Sequence, residues 1–306
     1  MDFRYLLQDQ LRSFVVLTTF AVLIQSAVVA DAQDTQPPSA LARPAASAVL
    51  DWNAIARRTA ITVAKQYQAQ SFVYIALAQA ATYDAVVAIE GGYRPYAAKT
   101  VRKPTASIDA AVATAGHDVL VHFFPAQRKP LDADYARALA AVPDGDAKSD
   151  GIGVGKAAAG AVIARGNADG LEADIGFVMP SAAAGVWQVA AGVSPQTPWI
   201  ARLRPFMLES PSQFRPGPPP SRGSDVFARD FNEVKNLGGA NSAARTPAQT
   251  ETATFWSANS ATQYNEAFAR VATDRRLDAV RAARLFAMGN LVAADALIAC
   301  FDAKYT

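Results

Sequence analysis

The sequence has few of the residues from which catalytic and metal sites are usually built. Cysteine occurs once, at Cys300, and histidine twice, at His117 and His122. A single cysteine excludes a disulfide within the chain. Cys300 falls on the apolar face of the last predicted helix, so we expect a buried, inert thiol, and no residue near it in the sequence favours a nucleophilic role.

The two histidines lack the spacing of a helical metal site. They lie five residues apart on one predicted helix, whereas two metal ligands on one helical face stand four apart. No constellation of Glu or Asp follows them. We therefore interpret each as a surface histidine or a hydrogen-bonded interior one. The sequence predicts no metal ligand and no complete catalytic group within its 306 residues.

The chain also lacks a strong charge of either sign. Lys plus Arg number 29 and Asp plus Glu 27, which leaves a formal net charge of +2. No basic stripe with interleaved aromatic residues occurs, so nucleic acid is not an expected partner. Apolar residues make up 51% of the chain, which is typical of a globular protein with a sizeable core.

The glycine-rich segment at 144–156 fits neither of the ion-binding loops that it suggests. A calcium loop needs a bidentate Glu at its twelfth position, where Gly155 stands. A phosphate loop needs Ser or Thr after its Gly-Lys pair, and Lys156 is followed by Ala157. The glycines at 151–160 instead predict close packing of one helix against another.

The first residues have the pattern of an export signal. Arg4 and Arg12 precede an apolar run that ends in the small-x-small pattern Ala30-Asp31-Ala32. We predict a signal peptide over residues 1–32 and export to the periplasm or the medium. The alternative is an uncleaved anchor, but the run is short and interrupted by polar residues, so no stable membrane anchor is expected.

The mature chain is predicted to begin with a linker and continue as one helical domain. Residues 33–50 hold three prolines among small and polar residues, which is typical of a linker. Asp51 is the predicted cap of the first helix, and the helical domain spans residues 51–306.

The fold class predicted from the sequence is all-α, a helical bundle. Apolar residues recur at three- and four-residue steps, and no stretch alternates like a strand. The helix at 71–90 is apolar nearly all round, and Asp84 within it favours a buried core helix, with a hydrogen-bond partner for that carboxylate, over a membrane span. Prolines and aromatic residues crowd residues 171–223, which predicts a long loop that wraps over the helices.

Two further helices are predicted after that loop. Ser224 and Thr246 are expected to cap helices that begin at residues 225 and 247, the second through a capping box with Gln249. The apolar stripe of the first of these helices is expected to face inward. Its residues are Val226, Phe227, Phe231 and Val234.

The last predicted helix ends in a lysine that needs an explanation. Its expected N-cap is Asp274, and Lys304 shares a face with Leu297 and Phe301. One explanation is a solvated lysine in a last turn, where the helix dipole favours a cation and the helix frays. The other is that Lys304 belongs to an anion site completed by residues beyond Thr306, because an ammonium without an anion inside a core is costly.

Several short segments stand in an order that resembles a known family. They are Tyr83-Asp84-Ala85, Gly185-Val186-Trp187, Arg204-Pro205-Phe206, Ser212-Gln213-Phe214-Arg215-Pro216, Asn232-Glu233-Val234-Lys235, Arg245-Thr246 with Phe255-Trp256, and Phe301-Asp302-Ala303-Lys304-Tyr305. Together they resemble the N-terminal helical part of exported bacterial proteins of the vanadium-dependent haloperoxidase and type 2 phosphatidic acid phosphatase superfamily. The resemblance covers most of residues 51–306.

The resemblance implies a vanadate or phosphate site to which this chain contributes one residue. The family signature is a lysine, six residues, and Arg-Pro, then Pro-Ser-Gly-His, then an Arg with a His six residues later. Lys304 matches the first lysine, which in the family holds oxygens of vanadate or phosphate together with the arginines. The other motifs are missing from the 306 residues.

Three functions stay open at this point. The resemblance implies the front part of a haloperoxidase that oxidises halide with peroxide at bound vanadate, inactive as the chain stands. It equally implies an acid phosphatase that acts on a phosphate ester. The third alternative is an exported helical domain that binds or supports other molecules without catalysis. Homo-oligomerisation is open in each case.

Overall fold

The computed structural model describes residues 46–99 and 101–305, and these form an all-α fold without a strand, as predicted. The predicted signal peptide at 1–32 and most of the predicted linker at 33–50 lie outside the described residues. Short π and 3₁₀ segments connect some helices. The α-helices are α1 (Ser47–Arg57), α2 (Gln68–Glu90), α3 (Ile108–Phe123), α4 (Arg128–Ala140), α5 (Asp146–Ala168), α6 (Asp225–Leu237), α7 (Pro247–Ser257), α8 (Ser260–Asp274) and α9 (Ala279–Tyr305).

Helix α2 lies at the centre of the core. Residues 69–82 are all buried, and α3, α5 and α9 pack around them. A helix that is apolar on every side is stable only where other elements cover it all round. The prediction of a buried helix here is confirmed, and the helix begins three residues earlier than predicted.

Two of the glycines in α5 allow it to approach α3 closely. A Cβ at Gly155 would lie 2.5 Å from Ala111 O, and one at Gly151 would lie 2.5 Å from Ser107 O. Added Cβ atoms at Gly153 and Gly160 would meet nothing within 4 Å. Close helix packing therefore depends on every fourth residue, which returns to the same face of a helix.

Buried asparagines join three helices that are distant in the sequence. Asn53 of α1 donates to Asn265 Oδ1 of α8 at 2.7 Å. Asn265 and Asn290 of α9 exchange amide hydrogen bonds of 2.9 Å. Their amides also donate to Ala261 O and Phe286 O. Because these buried polar groups have partners, the network adds orientation to the packing without leaving an orphaned amide.

The ends of two helices differ from the prediction. Helix α1 begins at Ser47, so Asp51 lies inside it instead of capping it. Helix α9 is capped by Asp278, whose Oδ1 accepts from Arg281 N at 2.7 Å. Asp274 is instead the last residue of α8. Several acidic residues near a helix start can each serve as a cap, so sequence alone does not select one.

Cys300 is exposed, contrary to the expectation of a buried thiol. The side of α9 that carries Asp302 faces the core, and Asp302 is 3% exposed. Two residues along an α-helix turn the side chain by about 200°. Cys300 therefore points away from the core, although its neighbours in sequence are apolar.

The apolar stripe of α6 is also exposed, so the prediction that it faces inward is wrong. Val226, Phe231 and Val234 are 42%, 57% and 70% exposed, and neither α6 nor α7 has a buried residue. The predicted caps are nevertheless present, with Ser224 accepting from Phe227 N and a capping box at Thr246. Periodicity identifies a stripe but does not say whether another element covers it.

Two described helices, α2 and α9, are long and apolar enough to cross a membrane by length and composition. The most apolar part of α2 is entirely buried among other helices, while that of α9 is 44% buried. Core helices of folded proteins share these properties, so this finding is weak evidence for a span.

Candidate oxyanion-binding end of helix α9

Lys304 lies in the last turn of α9 and is exposed. Its Nζ stands 4.7 Å from the ring centre of Trp187, 5.2 Å from that of Tyr305 and 5.5 Å from that of Phe301. It shares a face with Leu297 and Phe301, which are only partly buried. Lys304 therefore lies at the edge of the core and not inside it, with its ammonium beside aromatic rings that attract a cation.

The Lys304 ammonium has no anionic partner within the part of the chain that the structure describes. No hydrogen bond and no ion pair joins its Nζ to residues 46–99 or 101–305. Other lysines differ: Lys103 pairs with Asp150 at 3.3 Å and Lys148 with Asp144 at 2.8 Å. An added anion could reach Lys304 without breaking an ion pair first.

Trp187 reaches α9 through a tight turn in the long loop that follows α5. Val186 N donates to Ala183 O at 3.0 Å, which closes the turn. Gly185 adopts φ +82° there, a backbone conformation that residues other than glycine rarely adopt. A Cβ at Gly185 would also lie 2.8 Å from Arg222 Cδ. Glycine is therefore required for the turn that presents Trp187.

Two polar contacts fasten the end of α9 to the same loop. Arg215 donates from Nε and Nη2 to the two carboxylate oxygens of buried Asp302, at 2.5 Å and 2.6 Å. This bidentate geometry matches the planar guanidinium to a carboxylate. Tyr305 donates its hydroxyl to Gln196 O at 2.8 Å. The segments that carry the family resemblance contain both Arg215 and Asp302, but their order in the sequence did not indicate that they pair.

Asp295, about two helical turns before Asp302, holds another part of the loop. Its carboxylate accepts from the backbone N–H groups of Phe206, Met207 and Leu208 at 2.6, 2.7 and 2.9 Å. Asp295 is 3% exposed, and three donors compensate the cost of burying its charge. The prediction that the loop wraps over the helices is thereby given a specific attachment point.

Asp84 of α2 attaches a different non-helical segment in the same way. Its carboxylate accepts from the backbone N–H groups of Tyr96, Ala97 and Ala98. Burial raises the pKa of Asp84, and the three donors act in the opposite direction. The expectation that this buried carboxylate has hydrogen-bond partners is confirmed, and its role is structural.

The histidines do not form a reactive site. His117 is held on both ring nitrogens, by Asp118 and Asp132, at 2.8 Å each. Burial acts to lower the pKa of His117, but the two aspartates outweigh it and the pKa is raised. A ring engaged on both sides has no free nitrogen for a metal or a proton relay. His122 pairs with Asn167 Oδ1 at 2.9 Å, and no cluster of three metal-ligating side chains occurs among the described residues.

A separate cleft of about 410 Å³ lies between the N-terminal ends of α3 and α9. Glu90, Asp109 and Asp278 line it. Ser107 and Asp278 cap the two helix ends with their own side chains, which occupies N–H groups that could otherwise bind an anion. Its acidic lining is opposite in sign to what an oxyanion requires.

The chemistry available at the end of α9 is that of one cation. An ammonium can hold one oxygen of vanadate or phosphate, and Lys304 fits that role because it is exposed and free of carboxylates within the described ranges. A tetrahedral oxyanion is held by several fixed cations. Arg215 is engaged by Asp302, so its guanidinium is not free to add a second such contact, and no reaction step follows from these residues.

Comparison with known proteins bears on the fold. No family model and no curated protein matches the sequence. Among solved structures, the chain is similar to the crystal structure described as the first bacterial vanadium-dependent iodoperoxidase, with a TM-score of 0.68 and 18% sequence identity. The match covers 89% of this chain and 71% of the iodoperoxidase chain. Identity this low shows a shared fold and not a shared activity. The chain thus shares the fold of this vanadium-dependent iodoperoxidase, which agrees with the helical fold that the resemblance implied.

Proposed function

We propose that this chain is the N-terminal helical part of an exported, vanadium-dependent haloperoxidase-like enzyme, in which Lys304 holds an oxygen of bound vanadate. One observation carries the proposal. The lysine that matches the family signature lies on the shared fold at an exposed helix end, and its ammonium has no carboxylate partner among residues 46–99 and 101–305. A cation carried by a helix of 27 residues can be held in a fixed place.

The chain's own contribution to such a site is binding and orientation. Vanadate, when bound, would supply the oxidation of halide by peroxide. The Arg215–Asp302 pair and the Tyr305 hydroxyl hold the end of α9 against the loop, so Lys304 is presented from an anchored turn. Because one ammonium binds a tetrahedral oxyanion weakly and does not fix its orientation, we expect the 306-residue polypeptide to be inactive.

The test reads the coding DNA past the codon for Thr306 and compares two proteins. We expect the frame to continue with Arg-Pro after six residues and with the two histidine motifs further on. The longer product should oxidise iodide or bromide with peroxide only when vanadate is present. Lys304→Ala should lower that turnover by about 10²- to 10³-fold. Lys103→Ala, which removes an exposed lysine paired with Asp150, should leave the turnover unchanged.

Three results would contradict the proposal or redirect it. Vanadate-dependent halide oxidation by residues 33–306 alone would show that the site is complete without further chain. A stop codon directly after Thr306 would overturn the proposal in favour of a non-catalytic domain. Phosphate ester hydrolysis by the longer product, without halide oxidation, would assign an acid phosphatase. Export is tested separately by the mass of the secreted protein, which should begin at Gln33.

A further inference from the structure

We infer that Trp187 is a positioning residue that holds the Lys304 ammonium in a resting position, and that Lys304 must leave the Trp187 ring before it binds an oxyanion. The inference rests on the proposed function only in giving Lys304 an anionic ligand. The Nζ of Lys304 lies 4.7 Å from the Trp187 ring centre, closer than to either of its other two ring neighbours.

Ring faces and oxyanions compete for the same ammonium. The potential over an aromatic face is negative, so it attracts a cation and repels an anion. An oxyanion therefore cannot approach the side of Lys304 Nζ that Trp187 covers. Movement of Lys304 away from that ring exposes its N–H donors on the covered side.

Trp187 differs from the other two rings because of where it comes from. Phe301 and Tyr305 belong to α9 and move with Lys304, since they lie three residues before it and next to it. Trp187 belongs to the loop and is presented by the Gly185 turn. Lys304 can thus separate from Trp187 by a change of its own side-chain torsions, without unwinding the helix.

Trp187 has neighbours other than Lys304. Its ring meets Tyr305 edge-on at 6.0 Å, and Tyr305 also packs against Phe177 at 4.8 Å. Gln188, the next residue, donates to Pro180 O at 3.0 Å and closes this part of the loop. The Trp187 side chain is 45% exposed, so its truncation removes a ring from the surface and leaves the core intact.

The experiment follows the Lys304 side chain by NMR in residues 33–306 with ¹³C-labelled lysine, through the signals of its Cε–H groups. Lys304→Arg identifies the Lys304 signal by its loss. We compare the unsubstituted chain with Trp187→Ala and with Trp256→Ala, a matched control at 53% exposure whose ring contacts Phe255. Each protein is then titrated with orthovanadate, with inorganic phosphate as a second probe.

Ring currents should move the Lys304 signal upfield in the unsubstituted chain and in Trp256→Ala. In Trp187→Ala it should return toward the signals of exposed lysines. The vanadate concentration at half-titration should fall roughly two- to ten-fold in Trp187→Ala, because the competing ring is gone. A Lys304 signal that Trp187→Ala does not move overturns the inference, and so does unchanged or weaker vanadate binding by that variant.

The two proposals can fail separately. If both proteins bind vanadate equally, Trp187 does not restrain Lys304, while the role of Lys304 is still decided by the turnover of Lys304→Ala in the longer product. If that variant keeps full turnover, the proposed role of Lys304 fails even where Trp187→Ala moves the Lys304 signal. If neither protein responds to vanadate or phosphate, the inferred competition between ring and anion is overturned, and the Lys304 shift still reports whether the ring contact exists.

Discussion

At the scale of single residues, buried carboxylates determine how loops attach to the helices. Asp84 and Asp295 each accept hydrogen bonds from three backbone N–H groups of a segment outside the helices. A lone Asp in an apolar helix predicts that such donors exist, since burial without them is costly. The sequence does not say which segment supplies them. The sequence therefore predicts that Asp84 has hydrogen-bond donors, but it does not predict that residues 206–208 are the donors to Asp295.

Replacement of Asp295 by alanine should strongly destabilise the protein. The change leaves the N–H groups of Phe206, Met207 and Leu208 without their acceptor, and we expect the free energy of unfolding to fall by about 3 kcal/mol. Urea unfolding measures this change. Asp230→Ala removes a carboxylate from an exposed pair with Arg229 and should stay within about 0.5 kcal/mol. Equal losses in both variants would contradict this account.

At the scale of elements, sequence periodicity identifies helices well and their surroundings poorly. The buried helix α2 and the caps at Ser224 and Thr246 are as predicted. The same kind of reasoning placed the α6 stripe in the core, where it does not lie. Periodicity reports a property of one helix, whereas burial depends on which other element packs against it. From the sequence, α2 and α6 differ only in how wide their apolar surface is, and that width does not say whether another element covers it.

Two glycines in α5, two residues apart, should respond to alanine in opposite directions. A Cβ at Gly155 would lie 2.5 Å from Ala111 O and 2.6 Å from Thr114 Cβ, so Gly155→Ala should cost about 1–3 kcal/mol through overpacking. Gly153 is exposed with nothing within 4 Å of an added Cβ, so Gly153→Ala should stabilise by about 0.5–1 kcal/mol through helix propensity. Thermal and urea unfolding measure both changes. A Gly155→Ala variant as stable as Gly153→Ala would show that α3 and α5 are not in close contact at Gly155.

The link between α3 and α4 through His117 should make stability depend on pH. Hydrogen bonds with Asp118 and Asp132 raise the pKa of His117 above its ordinary 6.5 despite burial. The folded state then binds the proton more tightly, so this contribution is full below pH 6.5 and is lost as pH rises through the folded pKa.

His117→Gln tests this dependence, and His122→Gln is the control. From pH 6 toward higher pH, the free energy of unfolding should fall more in the unsubstituted chain than in His117→Gln. Only the unsubstituted chain has a histidine at this position that loses its proton between Asp118 and Asp132. His122→Gln removes the other histidine of α3, whose partner is the neutral Asn167, and so controls for the loss of a histidine from this helix. If His117→Gln keeps the full slope, other groups cause it.

At the scale of the whole molecule, the order of weak motifs indicated the fold that a match at 18% identity shows. Two of these motifs meet in the structure, where Arg215 binds Asp302, and several motifs in order constrain the topology more than any one does. Around Lys304 the motifs were less informative. The sequence placed Lys304 at a helix end and near aromatic residues of α9, but Trp187 lies 117 positions earlier, and a pairing that distant leaves no pattern in a single sequence.

The uneven distribution of burial leads to a prediction about local stability. Helices α6 and α7 have no buried residue, so their amides should exchange by local opening at little cost, with protection far below that of α2.

The end of α9 is different, because Asp302 is buried and paired with Arg215. Hydrogen exchange by mass spectrometry should therefore show fast exchange at 225–257 and slow exchange in α9 up to Asp302. Arg215→Gln should speed exchange at the end of α9 alone. Slow exchange at 225–257 in the purified chain would contradict this prediction.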